Sequence, residues 1–329
     1  MLAVVHERYG SPDGLEVKDL PIPTIGDDGI LVRVRAASLN AADWHRMRGT
    51  PYFARLMTAS GFGLRRPDRI VAGTDAAGVV AAVGRNVSGL KPGDEVFGAV
   101  EGSVAELARG REARLALKPA GLGFEEAAAI PTAGTTALLA VREHGGLQPG
   151  QEVLVNGAGG GVGTFAVQIA RALGGQVTAA TSRDKLELVR QIGASEAIDR
   201  GREDVARRRG AFDLIVDCSG DRSLAAWRAA LRPEGTLVMV GFGPGASKFG
   251  IGVLVSLVTL PLQSRRGKQR LVSFVATHSA ASLASLKELA EAGKLRPAID
   301  RVYPIRETPE AMRRIESGAA AGKVVISIG

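Results

Sequence analysis

Five of the eight residues in Asn156–Gly163, NGAGGGVG, are glycine, and they lie between an apolar run, Val153–Val155, and a helical pattern. Val162, Ala166, Ile169, Ala170 and Leu173 share one face of that helix. Strand, glycine turn and helix in this order are what a dinucleotide pyrophosphate requires. The turn lets backbone approach at Gly160, and the helix N-terminus, through Gly161 and Val162, points N–H groups and a positive dipole at the phosphates. Gly163 allows helix and strand to pack closely, and Ala158 stands at the first position of the A-x-G-x-x-G spacing. The end of the next strand selects the dinucleotide. An acid there would accept from a ribose 2′-hydroxyl. Here Ala180 is followed by TSRDK, in which Ser182, Arg183 and Lys185 offer a hydroxyl and two cations suited to a 2′-phosphate. Asp184 runs against this but fits a helix's first turn. The balance favours NADPH (NADP+) over NADH.

The elements around this motif have two textures. Up to about Leu122, short β-like runs such as ILVRVRAASL, DAAGVVAAVG and DEVFGAV are cut by the turn signals SPDG, GDDG and KPGD. Later segments alternate strands with helices, as in EVLVNG, QVTAAT, DLIVDCSG and TLVMVGF, which predicts a doubly wound parallel sheet. The last pieces, RVYPI and KVVISIG, return to strand. The expected class is α/β: a mostly-β domain over 1–124, rejoined by about 296–329, and a nucleotide domain over 125–295.

The order of these parts resembles the medium-chain dehydrogenase/reductase superfamily, with a GroES-like domain followed by a Rossmann domain. Within it the chain is most similar to the zinc-independent quinone oxidoreductase branch. The resemblance runs through SLNAADWHRMRG, VAGTDAAGVVAAVG, LKPGDEVFG, IPTAGTTA, NGAGGGVG, GKLRPAIDRVYP and AAGKVVI. Zinc-dependent relatives place a cysteine where Asn40 stands, and a Gly-His-Glu motif where this chain has Gly73-Thr74-Asp75. Their third ligand has no counterpart in AAAIPTAGTTA, and the four histidines, His6, His45, His144 and His278, are scattered. No metal is expected. Hydride addition to a quinone or enone needs only hydrogen-bond donors for a distant oxygen, so such acceptors are the expected substrates. The resemblance implies that the segment of Asn40 and His45 faces the nicotinamide, Asn40 as a hydrogen-bond donor and His45 as a candidate proton donor, with Asp43 bracing it; Tyr52, close by in sequence, is a further candidate to reach the substrate. It also implies cofactor contacts from Thr132, Thr136, Cys218, Ser219, Gly241, Phe242, Phe274 and Lys323. A zinc-free alcohol or aldehyde dehydrogenase, and an NADPH-binding regulatory protein with little turnover, stay open as alternatives.

Composition narrows the remaining classes. The 329 residues exceed what one core serves, and 45% hydrophobic with 23% charged residues is ordinary for a globular protein. The formal charge of +8 suits an anionic cofactor, while the basic clusters are short and lack interleaved aromatics, so no nucleic-acid partner is expected. Cys218 is the one cysteine, which excludes an internal disulfide and a cysteine-rich zinc lobe. The N-terminus has no signal-peptide pattern, and the longest apolar run, IGVLVSLVTLPL (Ile251–Leu262), is short for a bilayer. A cytoplasmic homodimer acting on a small molecule is expected, with the region from about Gly243 to Arg270 shaping the pocket or the dimer contact.

Overall fold

The computed structural model describes residues 1–56, 62–240 and 267–329, and the chain divides into two compact units, 1–135 with 277–329, and 136–276. Gly241, Phe242 and the apolar run 251–262 lie outside the described residues.

The first unit opens with a two-stranded ribbon, β1 (Leu2–Val5) against β2 (Glu16–Asp19). Its main sheet begins with β3 (Gly29–Leu39), followed by helix α1 (Ala41–Arg48), β4 (Asp75–Val83), β5 (Glu95–Glu101) and β6 (Leu107–Leu117). Helices α2 (Phe124–Ala128) and α3 (Pro131–Leu138) come next. In β3, Val32, Val34 and Ala36 are buried while Arg33 and Arg35 are exposed, the alternation of a strand with one wet face. Ile30, Val32, Val34, Val80, Val96 and Leu115 fill the core beneath it.

In the second unit, β7 (Glu152–Asn156), α4 (Gly161–Ala172), β8 (Gln176–Thr181), α5 (Leu186–Gln191) and β9 (Glu196–Asp199) run outward in one direction. Then β10 (Phe212–Asp217), α6 (Leu224–Ala230), β11 (Leu231–Met239) and β12 (Arg270–Ser273) run the other way, giving the order β12-β11-β10-β7-β8-β9. Every pairing is parallel. Successive residues Val153, Leu154 and Val155 are all buried, as expected for a strand covered on both faces. The strand order reverses between β7 and β10, where α/β sheets place their ligands.

The chain then returns to the first unit through α7 (Ala280–Glu291), β13 (Ile299–Pro304), α8 (Thr308–Glu316) and β14 (Lys323–Ser327). The first unit takes in more of the chain than 1–124 and 296–329, since it includes 125–135 and α7, which packs on β6. Strand β14 pairs antiparallel with β3 in the sheet order β13-β14-β3-β4-β5-β6.

Candidate active site

Asn40 sits at the junction where β3 becomes α1, with extended backbone. Its amide N–H donates to the Asp43 carboxylate at 2.8 Å, and Asp43 N–H donates back to Asn40 O at 3.0 Å. This reciprocal pair satisfies amides that a helix start leaves open. It also fixes where the Asn40 side chain points. β3 lies between β14 and β4, whose first residues, Lys323 and Asp75, flank Asn40 from either side. Lys323 Nζ donates to Asn40 Oδ1 at 2.5 Å and to Leu39 O at 3.0 Å. Asn40 Nδ2 donates to Asp75 Oδ2 at 3.0 Å.

Asp75 is fully buried and collects further donors from the start of α3: Thr132 N–H at 2.9 Å and Thr132 Oγ1 at 2.5 Å. A carboxylate at a helix N-terminus opposes the helix dipole favourably. Thr132 Oγ1 also meets His278 Nε2 at 2.8 Å. Nearby, Asp43 lies 3.3 Å from Arg46 Nη1, and Thr74 Oγ1 donates to Asp43 at 3.4 Å. Two buried carboxylates, Asp43 and Asp75, thus face two cations, Arg46 and Lys323. Burial pushes the Asp43 carboxyl above the usual carboxylate range, with Arg46 pulling the other way. Burial likewise lowers Lys323, against the pull of Asp75 and Asp43. Lys323 is a buried residue whose ammonium is bonded within the β unit, to Leu39 O and Asn40 Oδ1.

The other two catalytic candidates are held differently. His45 is half-buried, stacked on Trp44 with ring centroids 3.7 Å apart, and its Nδ1 lies 3.4 Å from Thr50 Oγ1. Burial lowers its pKa, which leaves a neutral imidazole at pH 7. Tyr52 opens the short turn Tyr52–Leu56 and is 39% exposed, with the Arg55 guanidinium 4.7 Å above its ring.

In the second unit the glycine turn follows β7. Gly157 adopts φ +80°, and a methyl group at Gly163 would lie 2.2 Å from Gly157 O, so that position tolerates no side chain. A methyl at Gly160 would meet nothing nearer than 3.4 Å, which leaves the space above it for a ligand to approach backbone. The first intrahelical bond of α4 runs from Thr164 N to Gly160 O, so the amides of Gly161, Val162 and Gly163 open the helix ahead of it. Ala158 is buried, and its N–H donates to Ala180 O, tying the turn to β8.

Beyond β8, Ser182 donates to the Asp184 carboxylate, which holds Asp184 below its ordinary range. Arg183 is exposed, and Lys185 is buried with its stem against Gly159. Arg200 was missed by the sequence reading. Its N–H donates to Thr181 O, which sets it beside Ser182, and its Nη1 meets Ser219 Oγ at 2.6 Å and Asp221 Oδ2 at 3.0 Å. Its Nε is buried without a hydrogen-bond partner among the described residues. The signal available in the sequence was an arginine directly after a strand of a nucleotide-binding sheet.

The ends of β7 and β10 are welded by Asp217, which accepts from Asn156 Nδ2, Ser219 N, Gly220 N and Trp227 Nε1. Cys218 follows it. As a residue Cys218 is half-exposed, yet its sulfur is enclosed, and burial together with the Asp217 carboxylate pushes the thiol well above its ordinary pKa. The native thiol should therefore resist iodoacetamide at pH 8 and react only once the chain is unfolded, as mass spectrometry of the intact protein would show. Rapid native labelling would contradict the enclosure. Thr136 is half-buried on α3, and Phe274 packs on His144 with centroids 4.3 Å apart.

Two family models match the chain. The alcohol dehydrogenase GroES-like domain covers residues 26–143, and the zinc-binding dehydrogenase model covers 192–326. The mitochondrial NAD(P)H oxidoreductase RTN4IP1 of Mus musculus is 32% identical over all of this chain and 89% of its own length. The 2-methylene-furan-3-one reductase of Solanum lycopersicum is 34% identical over 99% of this chain and 79% of its own. A solved quinone oxidoreductase from Coxiella burnetii superposes with a TM-score of 0.85 at 26% identity, covering 100% and 99% of the two chains. The chain belongs to the medium-chain dehydrogenase/reductase superfamily, in its quinone oxidoreductase branch. It is an oxidoreductase with a GroES-like domain and a Rossmann-type parallel sheet.

For this medium-chain reductase, the family name raises the question of zinc. The residues at the zinc positions do not fit it. Asn40 Oδ1 is taken by an ammonium group, Thr74 is engaged with Asp43, and Asp75 already accepts from three donors. Zinc needs three or four converging lone pairs. At this position a cation is already in place. Among the described residues no helix is long and apolar enough to cross a membrane.

Proposed function

We infer that this protein is an NADPH-dependent, zinc-independent reductase of quinones or α,β-unsaturated carbonyl compounds. The observation that carries the reading is the Lys323–Asn40 pair, which stands where zinc-dependent relatives would hold their metal. Without a Lewis acid, oxidising a simple alcohol needs another group to hold its alkoxide, whereas a conjugated acceptor spreads charge onto an oxygen that hydrogen bonds can hold. Asn40 has a second Nδ2 hydrogen beyond the one given to Asp75, and Lys323 polarises the amide from its oxygen side. That hydrogen is suited to the acceptor's oxygen. NADPH supplies the hydride when bound. The names of the relatives, a quinone oxidoreductase and a reductase of a methylene furanone, favour the same acceptor class.

On this reading Gly160, Gly161, Val162 and Gly163 hold the pyrophosphate, and Arg183, Lys185 and Arg200 hold the 2′-phosphate. Ser182 is bonded to Asp184 and would have to turn from it to join them. Burial keeps the His45 imidazole neutral, and either this weak acid or a water supplies the proton. NADPH consumption with quinones, enones and simple aldehydes, in the presence of a chelator, tests the acceptor class. Turnover of aldehydes alone, or loss of activity with chelator, would overturn it. Neutralising Arg183, Lys185 and Arg200 together should raise KM for NADPH by more than roughly 10–100-fold, the factor that about 1.5–3 kcal/mol gives for the loss of a single hydrogen bond to a charged group. KM for NADH should change little. Equal changes for the two cofactors would sink the NADPH assignment.

A further inference from the structure

The chain leaves the first unit after Thr135 and re-enters it before Thr277. The outgoing crossing is helical: α3 runs directly into the wider turn Leu139–His144. The returning crossing is extended, and its exposure alternates. Val275 and Thr277 face outward, while Phe274, Ala276 and His278 are more covered. Each unit ties the two crossings together by its own contact. In the second unit it is Phe274 on His144, and in the first it is His278 on Thr132.

Counting hydrogens fixes the direction of the second tie. Thr132 has one hydroxyl hydrogen, and it goes to Asp75 Oδ1 at 2.5 Å. Toward His278 the oxygen can only accept, so His278 Nε2 must carry a hydrogen and donate it. The line His278 to Thr132 to Asp75 therefore has one polarity. From the other side Lys323 donates to Asn40, and Asn40 donates to the same carboxylate. Both ends of a five-residue chain aim their hydrogens at one buried anion. His278 is the half-buried end of that line, and nothing in the reaction described so far uses it.

We propose that His278 is a positioning residue for the reductase reaction. Its Nε2–H holds the Thr132 hydroxyl on Asp75 and so fixes the first turn of α3. Thr136 follows one turn later on the same helix. The inference rests on the reading, taken from the family resemblance, that Thr132 and Thr136 lie near the nicotinamide and the phosphates of the bound cofactor. The 2′-phosphate end provides binding, so the loss of this anchor should fall on kcat and spare affinity.

The test has two arms. In the kinetic arm, His278→Ala should lower kcat with NADPH and a quinone about tenfold, with KM for NADPH within about twofold of wild type. His278→Gln, whose amide can donate from a similar place, should restore kcat to within about threefold. Adding His278→Ala to Thr132→Val should cost nothing beyond Thr132→Val alone, since both break one interaction. An unchanged kcat in His278→Ala, a defect confined to KM, or a glutamine variant as poor as alanine would each overturn the proposal. In the spectroscopic arm, nitrogen-15 shifts of the four histidines are assigned with His278→Gln. They should show the Nε2–H tautomer at His278, lost or averaged in Thr132→Val. An Nδ1–H tautomer, or no response to Thr132→Val, overturns the bond itself without reference to turnover. A wild type that reduces no acceptor would overturn the reductase reading and the positioning role together, and it would show in the wild type rather than in the variant.

Discussion

Replacing Lys323 with methionine is expected to lower the unfolding free energy of the first unit by about 3–5 kcal/mol, the usual cost of leaving one partner of a buried charge pair alone. The wild-type cluster balances Asp43 and Asp75 against Arg46 and Lys323, all held within the β unit. Methionine preserves most of the packed stem but removes the donor on which Asn40 Oδ1 and Leu39 O depend. Two carboxylates then face one guanidinium. Adding Asp75→Asn to the variant should recover part of the loss, because the uncompensated charge goes with it. The deficit should also shrink between pH 7.5 and pH 5, since a carboxyl already lifted by burial can take up a proton in the native state. Urea unfolding at both pH values measures the size. Hydrogen exchange should confine the loss to residues 1–135 and 277–329. A single variant within about 1 kcal/mol of wild type would show that the ammonium is not the counter-charge argued above.

Such a cluster was only partly legible in the sequence. The glycine turn was readable because strand, turn and helix are contiguous, and each residue's job follows from local backbone geometry. The parallel sheet was readable for the same reason: unbroken apolar runs such as Val153–Val155 announce burial on both faces. Asn40, Thr132 and Lys323 were each singled out, but in separate roles. What joins them is Asp75, which had been noted only as the residue that replaces a glutamate. Their convergence depends on β14 pairing with one edge of β3 while β4 pairs with the other, across more than two hundred residues of chain. No local pattern encodes that register. His278 was weighed only as a metal ligand, because a lone histidine after a strand carries no sign of the hydroxyl it will meet. Between β9 and β10 the basic stretch REDVARRR forms the short turn Val205–Arg207, with Arg208 paired with Glu196 and Glu203.

His6 carries the second large expectation, a loss of stability on mild acidification. It follows β1, is 3% exposed, and its backbone N–H is bonded to Ile70 O. Its Nδ1 is buried without a hydrogen-bond partner among the described residues. Burial, helped by the nearby Arg46, brings its pKa down to about 4 from 6.5. Between those values the unfolded chain binds the proton and the native protein does not, so stability rises with pH across the window and falls as the solution is acidified. The drop from 6.5 to about 4 corresponds to about 3 kcal/mol. Asp43 works against it. Its carboxyl is raised above 3.8, so the native state takes up a proton there before the unfolded chain does and gains stability as pH falls. The wild-type profile alone therefore understates the histidine. Comparison with His6→Phe isolates it: the stability of wild type relative to that variant should fall by about 3 kcal/mol between pH 7 and pH 4 in urea titrations. Parallel profiles over that range would mean that His6 keeps its proton inside the fold, which its enclosed and unpartnered Nδ1 does not allow.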